Sequence, residues 1–188
     1  LIQSLKSLSD DLLALGSHLC VRVGDAVDIL TGLARQLPGS TVWSHEETGN
    51  DWTFKRDRRV ARALSQQGSL WKELGQGGVI RRLRSRDVWA GRWQRHVAAA
   101  AVPVSELQPP PEFPSDRIPT ADMLGLSMER AGQPGGRRAA ERVLQGFLLE
   151  RGETYRSAMS SPLEGAAACS RLSPYLALGV ISIRETYQ

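Results

Sequence analysis

Apolar residues recur every three or four positions at the start of the chain, at Ile2, Leu5, Leu8, Leu12 and Leu15, before Gly16. This spacing predicts an amphipathic helix with a glycine stop. The pattern then shortens. His18 to Val23 (HLCVRV) is a compact apolar run with β-branched residues, the pattern of a buried strand. Asp25 is placed to cap a second helix, whose apolar face is Val27, Leu30, Leu33 and Leu37 and which Pro38-Gly39 ends. Ser40 to His45 (STVWSH) predicts a second strand. Asn50 or Asp51 opens a third helix that runs to about Gln67 and stops at Gly68. Leu70 to Leu74 (LWKEL) predicts a third strand. Helix and strand alternate throughout, which implies a parallel sheet flanked by helices. A sheet introduced by a helix leads us to expect one or two strands before Leu1, and both ends of the chain read as cut.

Arg86 to Ala101 predicts a further helix. The composition then changes, with Pro103, Pro109, Pro110, Pro111, Pro114 and Pro119 making 102–119 a stiff, extended stretch. After a Pro134-Gly135-Gly136 turn, Ala140, Val143, Leu144, Phe147 and Leu148 mark a helix over Arg137–Glu150. Helical pattern returns after Gly152, yields to a loop near Ser160-Ser161-Pro162, and resumes over Ser170–Gln188 with a break at Gly179. The expected organisation is α/β: a partial parallel-sheet, Rossmann-like domain over 1–101, a Pro-rich linker over 102–133 and the first helices of an all-α domain over 134–188.

Composition narrows the classes. The chain has 188 residues, 41% hydrophobic and 23% charged, which excludes a disordered chain, a collagen-like repeat and a disulfide scaffold. No apolar run reaches the ~18–20 residues of a membrane span, and no membrane partner is expected. Cys20 and Cys169 are far apart and read as reduced thiols of a cytoplasmic protein. The net charge is +4, and Lys6, Lys55 and Lys72 are the only lysines, so arginine carries the excess. Arginine suits phosphate because its planar fork makes paired hydrogen bonds. A basic balance is compatible with a nucleic-acid partner.

Several segments have two readings. His45-Glu46-Glu47-Thr48-Gly49-Asn50 follows a strand, where open parallel sheets bind ligands; the same residues also read as helix capping. Gly75-Gln76-Gly77-Gly78 reads as a turn. Arg81, Arg82, Arg84, Arg86, Arg92 and Arg95 surround Trp89 and Trp93, while Lys55, Arg56, Arg58, Arg59 and Arg62 form a second cluster. Each cluster is a nucleic-acid contact or a solvated helix face, and the two tryptophans share one face, as core residues do. His18, His45, His96 and the cysteines lack metal-ligand spacing, with His18 and Cys20 read as core. No GxSxG elbow supports a hydrolase. Ser170-Arg171-Leu172-Ser173-Pro174 has two hydroxyls at a helix start, either an anion site or a serine cap.

At this last string the chain resembles the cryptochrome/DNA photolyase family. SRLSPYLALGVIS (Ser170 to Ser182) is similar to that family's flavin-phosphate motif, usually written TSRLSPYL. HEETGNDWTFKRDRRV (His45 to Val60) and RRLRSRDVW (Arg81 to Trp89) resemble segments of bacterial members. The resemblance implies FAD held in a helical domain, with a folate or deazaflavin antenna chromophore on the α/β domain. It implies UV-damaged DNA as partner, a monomeric full-length form, and light-driven repair of pyrimidine dimers by electron transfer from reduced FAD. The alternative is a blue-light photoreceptor that binds FAD without repair; a free nucleotide-binding module with a chance serine motif is a third.

Carried over by position, the cofactor-binding residues are Tyr155, Cys169, Ser170, Arg171, Leu172 and Ser173. Cys169 stands where many members have threonine, and a thiol is a weak hydrogen-bond partner. The family's opening strand and its later catalytic region find no match here. No catalytic residue and no antenna ligand is therefore assigned, and none of Trp43, Trp52, Trp71, Trp89 and Trp93 is read as an electron-transfer tryptophan. On this reading the chain by itself is expected to bind FAD weakly or not at all.

Overall fold

A computed structural model describes residues 1–76, 78–104, 106–126 and 132–188. Gly77 of the glycine turn, and Ser105 and 127–131 of the Pro-rich stretch, lie outside the described residues. The chain divides into two compact units. One is Arg22–Ala99; the other joins Leu1–Val21 to Ala100–Gln188. This differs from the expected division of 1–101, 102–133 and 134–188 in the place of the first helix.

The Arg22–Ala99 unit is α/β. Helix α2 (Ala26–Gln36) starts where Asp25 Oδ1 accepts the Val27 N–H at 2.8 Å. Strand β1 (Thr41–His45) follows, then α3 (Asp51–Gln66), then β2 (Leu70–Leu74). Asn50 Oδ1 caps α3 by accepting the Thr53 N–H at 2.9 Å. The strands pair in parallel, Thr41 opposite Leu70 through His45 opposite Leu74, with α3 as the crossover. The core is Ala34 of α2 with Val60 and Leu64 of α3, and Val42 and Trp71 pack against it from the sheet. A 3-10 turn over Arg86–Val88 leads into α4 (Trp89–Ala98).

Trp89 and Trp93 are not core residues. They stack on each other with ring centroids 5.6 Å apart, and Trp89 Nε1 donates to the Gly78 carbonyl at 2.9 Å, so the pair braces the glycine turn from outside. The expected strand at His18–Val23 is also absent. Val21 N–H donates to Ser115 Oγ at 2.9 Å, and Asp116 N–H donates to the Val21 carbonyl at 2.7 Å. The facing segment carries Pro114, which has no N–H to continue a ladder, so the run is extended without becoming a strand. His18 is exposed and Cys20 only half-buried. Both cysteines are free.

The other unit contains α1 (Ile2–Ala14), α5 (Arg137–Leu149), α6 (Tyr155–Ala158), α7 (Gly165–Ala168), α8 (Ser173–Ala177) and α9 (Ile183–Tyr187). The start of the chain joins it through backbone donors. Gly135 N–H donates to Gln3 Oε1 at 2.6 Å and Gly136 N–H to Ser4 Oγ at 3.1 Å. A Cβ on Gly135 would meet Gln3 Cβ at 2.8 Å, so this close approach requires glycine. The core is Ala139 and Ala140 of α5 with Leu172, Tyr175 and Ile181.

Helix α9 carries a capping box. Ser182 Oγ accepts the Glu185 N–H at 3.1 Å, and Glu185 Oε2 accepts the Ser182 N–H at 2.9 Å. The other Glu185 oxygen accepts from Arg137, which also bonds Glu141. The Arg137 hydrogen bond is the main cause that takes the Glu185 carboxyl from 4.5 to about 2. A carboxyl lowered in the folded state stabilises the fold above its unfolded value, and the contribution is lost as pH falls from about 4.5 toward about 2. Arg137 is 45% exposed, and screening reduces the contribution to about 1 kcal/mol. Stability of the wild type should therefore decline across this window. Glu185→Gln should flatten that decline in urea titrations at stepped pH; an equal slope in both proteins would refute the linkage.

Candidate functional site

Because β1 and β2 are parallel, their C-terminal ends, His45 and Leu74, meet at one edge. Glu46 N–H donates to the Leu74 carbonyl at 2.9 Å and extends the pairing beyond the strands. At this edge lies a cavity of about 650 Å³, bounded by Glu46, Phe54, Asp57, Trp71, Glu73 and Arg81 among others. Arg81 Nη2 stands 2.8 Å from Glu73 Oε2 and 3.4 Å from Glu46 Oε1, and its guanidinium carbon lies 6.0 Å over the Phe54 ring. The Glu73 hydrogen bond is the first cause that raises the Arg81 pKa, so the group is a fixed cation. Trp71 Nε1 donates to Ser44 Oγ at 2.7 Å, which fixes the ring on the cavity wall.

The two readings of His45–Asn50 are thus divided among its residues. Asn50 caps α3. The Glu47 carboxylate accepts the Gly49 N–H, the first cause that lowers its pKa. Glu46 faces the cavity and pairs with Arg81. Among the described residues no group of His, Cys, Asp and Glu could hold a metal ion. No helix of the described residues is long and apolar enough to cross a membrane.

The Ser170–Pro174 string lies in the helical unit. Helix α8 begins at Ser173 with Leu172 at the cap position and no side-chain cap, so the serine-cap reading does not describe this turn. Ser170 Oγ instead accepts the Leu172 N–H at 3.5 Å. Arg171 has φ of +60°, in the left-handed region that favours glycine, and Gln133 Nε2 donates to its carbonyl at 3.0 Å. Leu172 is buried in the core. Tyr175 is buried beside it, its hydroxyl donating to the Pro134 carbonyl at 2.7 Å.

The six residues expected to hold a cofactor are therefore spread over different surroundings. Leu172 faces the core. Cys169 and Ser170 are half-buried, and Ser173 is exposed. Tyr155 is half-buried and meets Phe147 edge to face at 5.8 Å. Arg171 points elsewhere: its Nη1 donates to the Ala166 carbonyl at 3.4 Å, and it lines an open hollow of about 470 Å³ that the other five do not line.

Arg151 has no counterpart in the sequence reading. Its Nη2 donates to the Val143 carbonyl at 2.6 Å and its Nη1 to the Cys169 carbonyl at 3.1 Å, tying the motif segment to α5. Neither partner is in helical register with Arg151, so nothing in the local pattern marks it. Arg81 was visible only as one of several clustered arginines; its two carboxylate partners come from the ends of different strands.

Residues 1–78 match a family model described as DNA photolyase. A deoxyribodipyrimidine photo-lyase of Halobacterium salinarum is 27% identical over 203 aligned residues, covering 100% of this chain and 42% of that protein. The blue-light photoreceptor PHR2 of Arabidopsis thaliana is 26% identical, covering 100% of this chain and 47% of that protein. Among solved structures, an archaeal photolyase from Sulfolobus tokodaii with two FAD molecules superposes with a TM-score of 0.67 at 22% identity, over 99% of this chain and 41% of that one. The chain spans less than half the length of these relatives.

Proposed function

We propose that this chain, which is similar to DNA photolyases over residues 1–78 and to a deoxyribodipyrimidine photo-lyase along its whole length, works as the α/β region and flavin-phosphate segment of a light-driven DNA repair lyase. The observation that carries this reading is the form of the Ser170–Tyr175 segment. Leu172 and Tyr175 anchor it in the core, while Ser170 and Ser173 remain outside that core. Ser170 Oγ accepts a backbone N–H and so keeps its own O–H to donate. Hydroxyl donors set on a packed support suit the diphosphate of FAD. On this reading Ser170 and Ser173 hold that diphosphate. Tyr155 and Cys169 flank it, the thiol as the weakest partner, and Arg151 keeps the segment in place through the Cys169 carbonyl. When bound, FAD would supply the light-driven electron transfer that splits pyrimidine dimers in UV-damaged DNA.

The edge cavity of the α/β unit supports an antenna chromophore. Trp71 and Phe54 offer ring faces, and Arg81, Glu46 and Glu73 offer polar partners, as a folate or deazaflavin would need. Release of such a chromophore on denaturing the purified parent protein would support this assignment; a parent that carries flavin alone would count against it.

The test of function is light-minus-dark repair of UV-irradiated DNA by the full-length parent. Light-dependent loss of dimers is the expected result. Similarity along the whole chain to a blue-light photoreceptor supports a second reading, a photoreceptor without repair. A flavin-loaded parent that leaves dimers intact under illumination would favour it over the first.

A further inference from the structure

We propose that the hollow lined by Arg142, Arg151 and Arg171 is a binding site for a phosphate monoester of mononucleotide size, distinct from the place where Ser170 and Ser173 would hold the flavin diphosphate. Its volume of about 470 Å³ is within the range of small-molecule sites. Among the described residues, the three arginines are its only charged lining residues and no carboxylate lines it. Three guanidinium groups around one open space repel each other, and a dianion would offset that repulsion. Their planar forks match phosphate oxygens in pairs.

The arginines are held in different ways. Arg151 is fixed by the Val143 and Cys169 carbonyls through two of its five donors, so the remainder are pre-positioned. Arg171 takes the left-handed conformation, held by Gln133, and its guanidinium turns toward Ala166 on the hollow's wall. Arg142 makes no hydrogen bond or ion pair among the described residues. Small residues, Val143 and Ala166 among them, leave an apolar patch beside the cations. Inorganic phosphate would leave that patch bare, whereas a nucleoside would cover it.

The test is titration of the 188-residue chain at low salt with adenosine monophosphate, inorganic phosphate and adenosine, followed by calorimetry. The monophosphate should bind at least about 10-fold more tightly than either part alone, since charge-assisted hydrogen bonds contribute on this scale. Arg171→Gly suits a left-handed backbone, and Arg142→Gln changes an exposed side chain, so both should retain the wild-type melting temperature. Each should weaken the monophosphate about 10-fold. Equal affinity for adenosine and its monophosphate, or wild-type affinity in both variants, would overturn the site. The titration repeated with the full-length parent, with and without FAD bound, tests separateness. Unchanged affinity supports a second site, while competitive displacement would make the hollow the flavin's own seat and overturn the proposal. None of these outcomes depends on whether the parent repairs DNA.

Discussion

Leu64→Ala is expected to destabilise the α/β unit by about 2–5 kcal/mol. Leu64 is 0% exposed and sits between Val60 and Ala34, with Val42 and Trp71 closing the space from the sheet. Truncation removes the transfer energy of the lost methyl groups and leaves a void. The walls of that void are positioned by hydrogen bonds, by the β1–β2 pairing on one side and by the Trp71–Ser44 bond on another. They can move inward little, which places the loss toward the upper part of the range. Domains of this size have stabilities of about 5–15 kcal/mol, so the variant should unfold at clearly lower urea. Leu70→Ala is the control, because Leu70 is 56% exposed on the same sheet and should shift the midpoint little. Matching shifts for both leucines would show that the core is not where we place it.

The second large effect is expected at Leu172. It lies within the flavin-phosphate motif, yet it is 4% exposed and packs with Ala139, Ala140, Tyr175 and Ile181. Leu172→Ala should destabilise the helical unit by about 2–5 kcal/mol without any flavin present. The readout is thermal unfolding of the flavin-free chain. If the variant melts with the wild type and loses only flavin affinity, Leu172 is a cofactor contact and not the anchor of the loop.

How much of this was legible in the sequence depends on the range of each interaction. Asp25 and Asn50 were readable as caps because an N-cap side chain reaches a backbone N–H only two or three residues ahead. The strands Thr41–His45 and Leu70–Leu74 were readable because their apolar residues are bounded by Pro38-Gly39 and Gly68. His18–Val23 has the same local pattern and is no strand, since its fate was decided by a proline-rich partner more than 90 residues away. Trp89 and Trp93 were correctly placed on one helix face; the error was the assumption that a face with two tryptophans must be inward. The Ser170–Pro174 motif was legible as a unit. That Arg171 reaches the Ala166 carbonyl and takes a left-handed backbone held by Gln133 was not, because the spacing of the motif does not encode it. Arg151 and the Arg81–Glu46–Glu73 group are long-range constructions, visible only once the chain is folded.

The hydrogen bonds of Gly135 and Gly136 to Gln3 and Ser4 span 132 residues of sequence, and this has a consequence for the order of events during synthesis. Helix α1 is made more than 120 residues before its seat at Gly135 and Gly136. In between, Arg22–Ala99 can complete its own pairing and core. The entropic penalty of closing a loop rises only slowly with length, about 0.6 kcal/mol per doubling, so the delay is one of timing more than of equilibrium. Until residue 136 emerges, Gln3 and Ser4 lack these backbone donors, and a nascent chain halted near residue 100 would carry a paired β1–β2 unit while α1 is not yet seated.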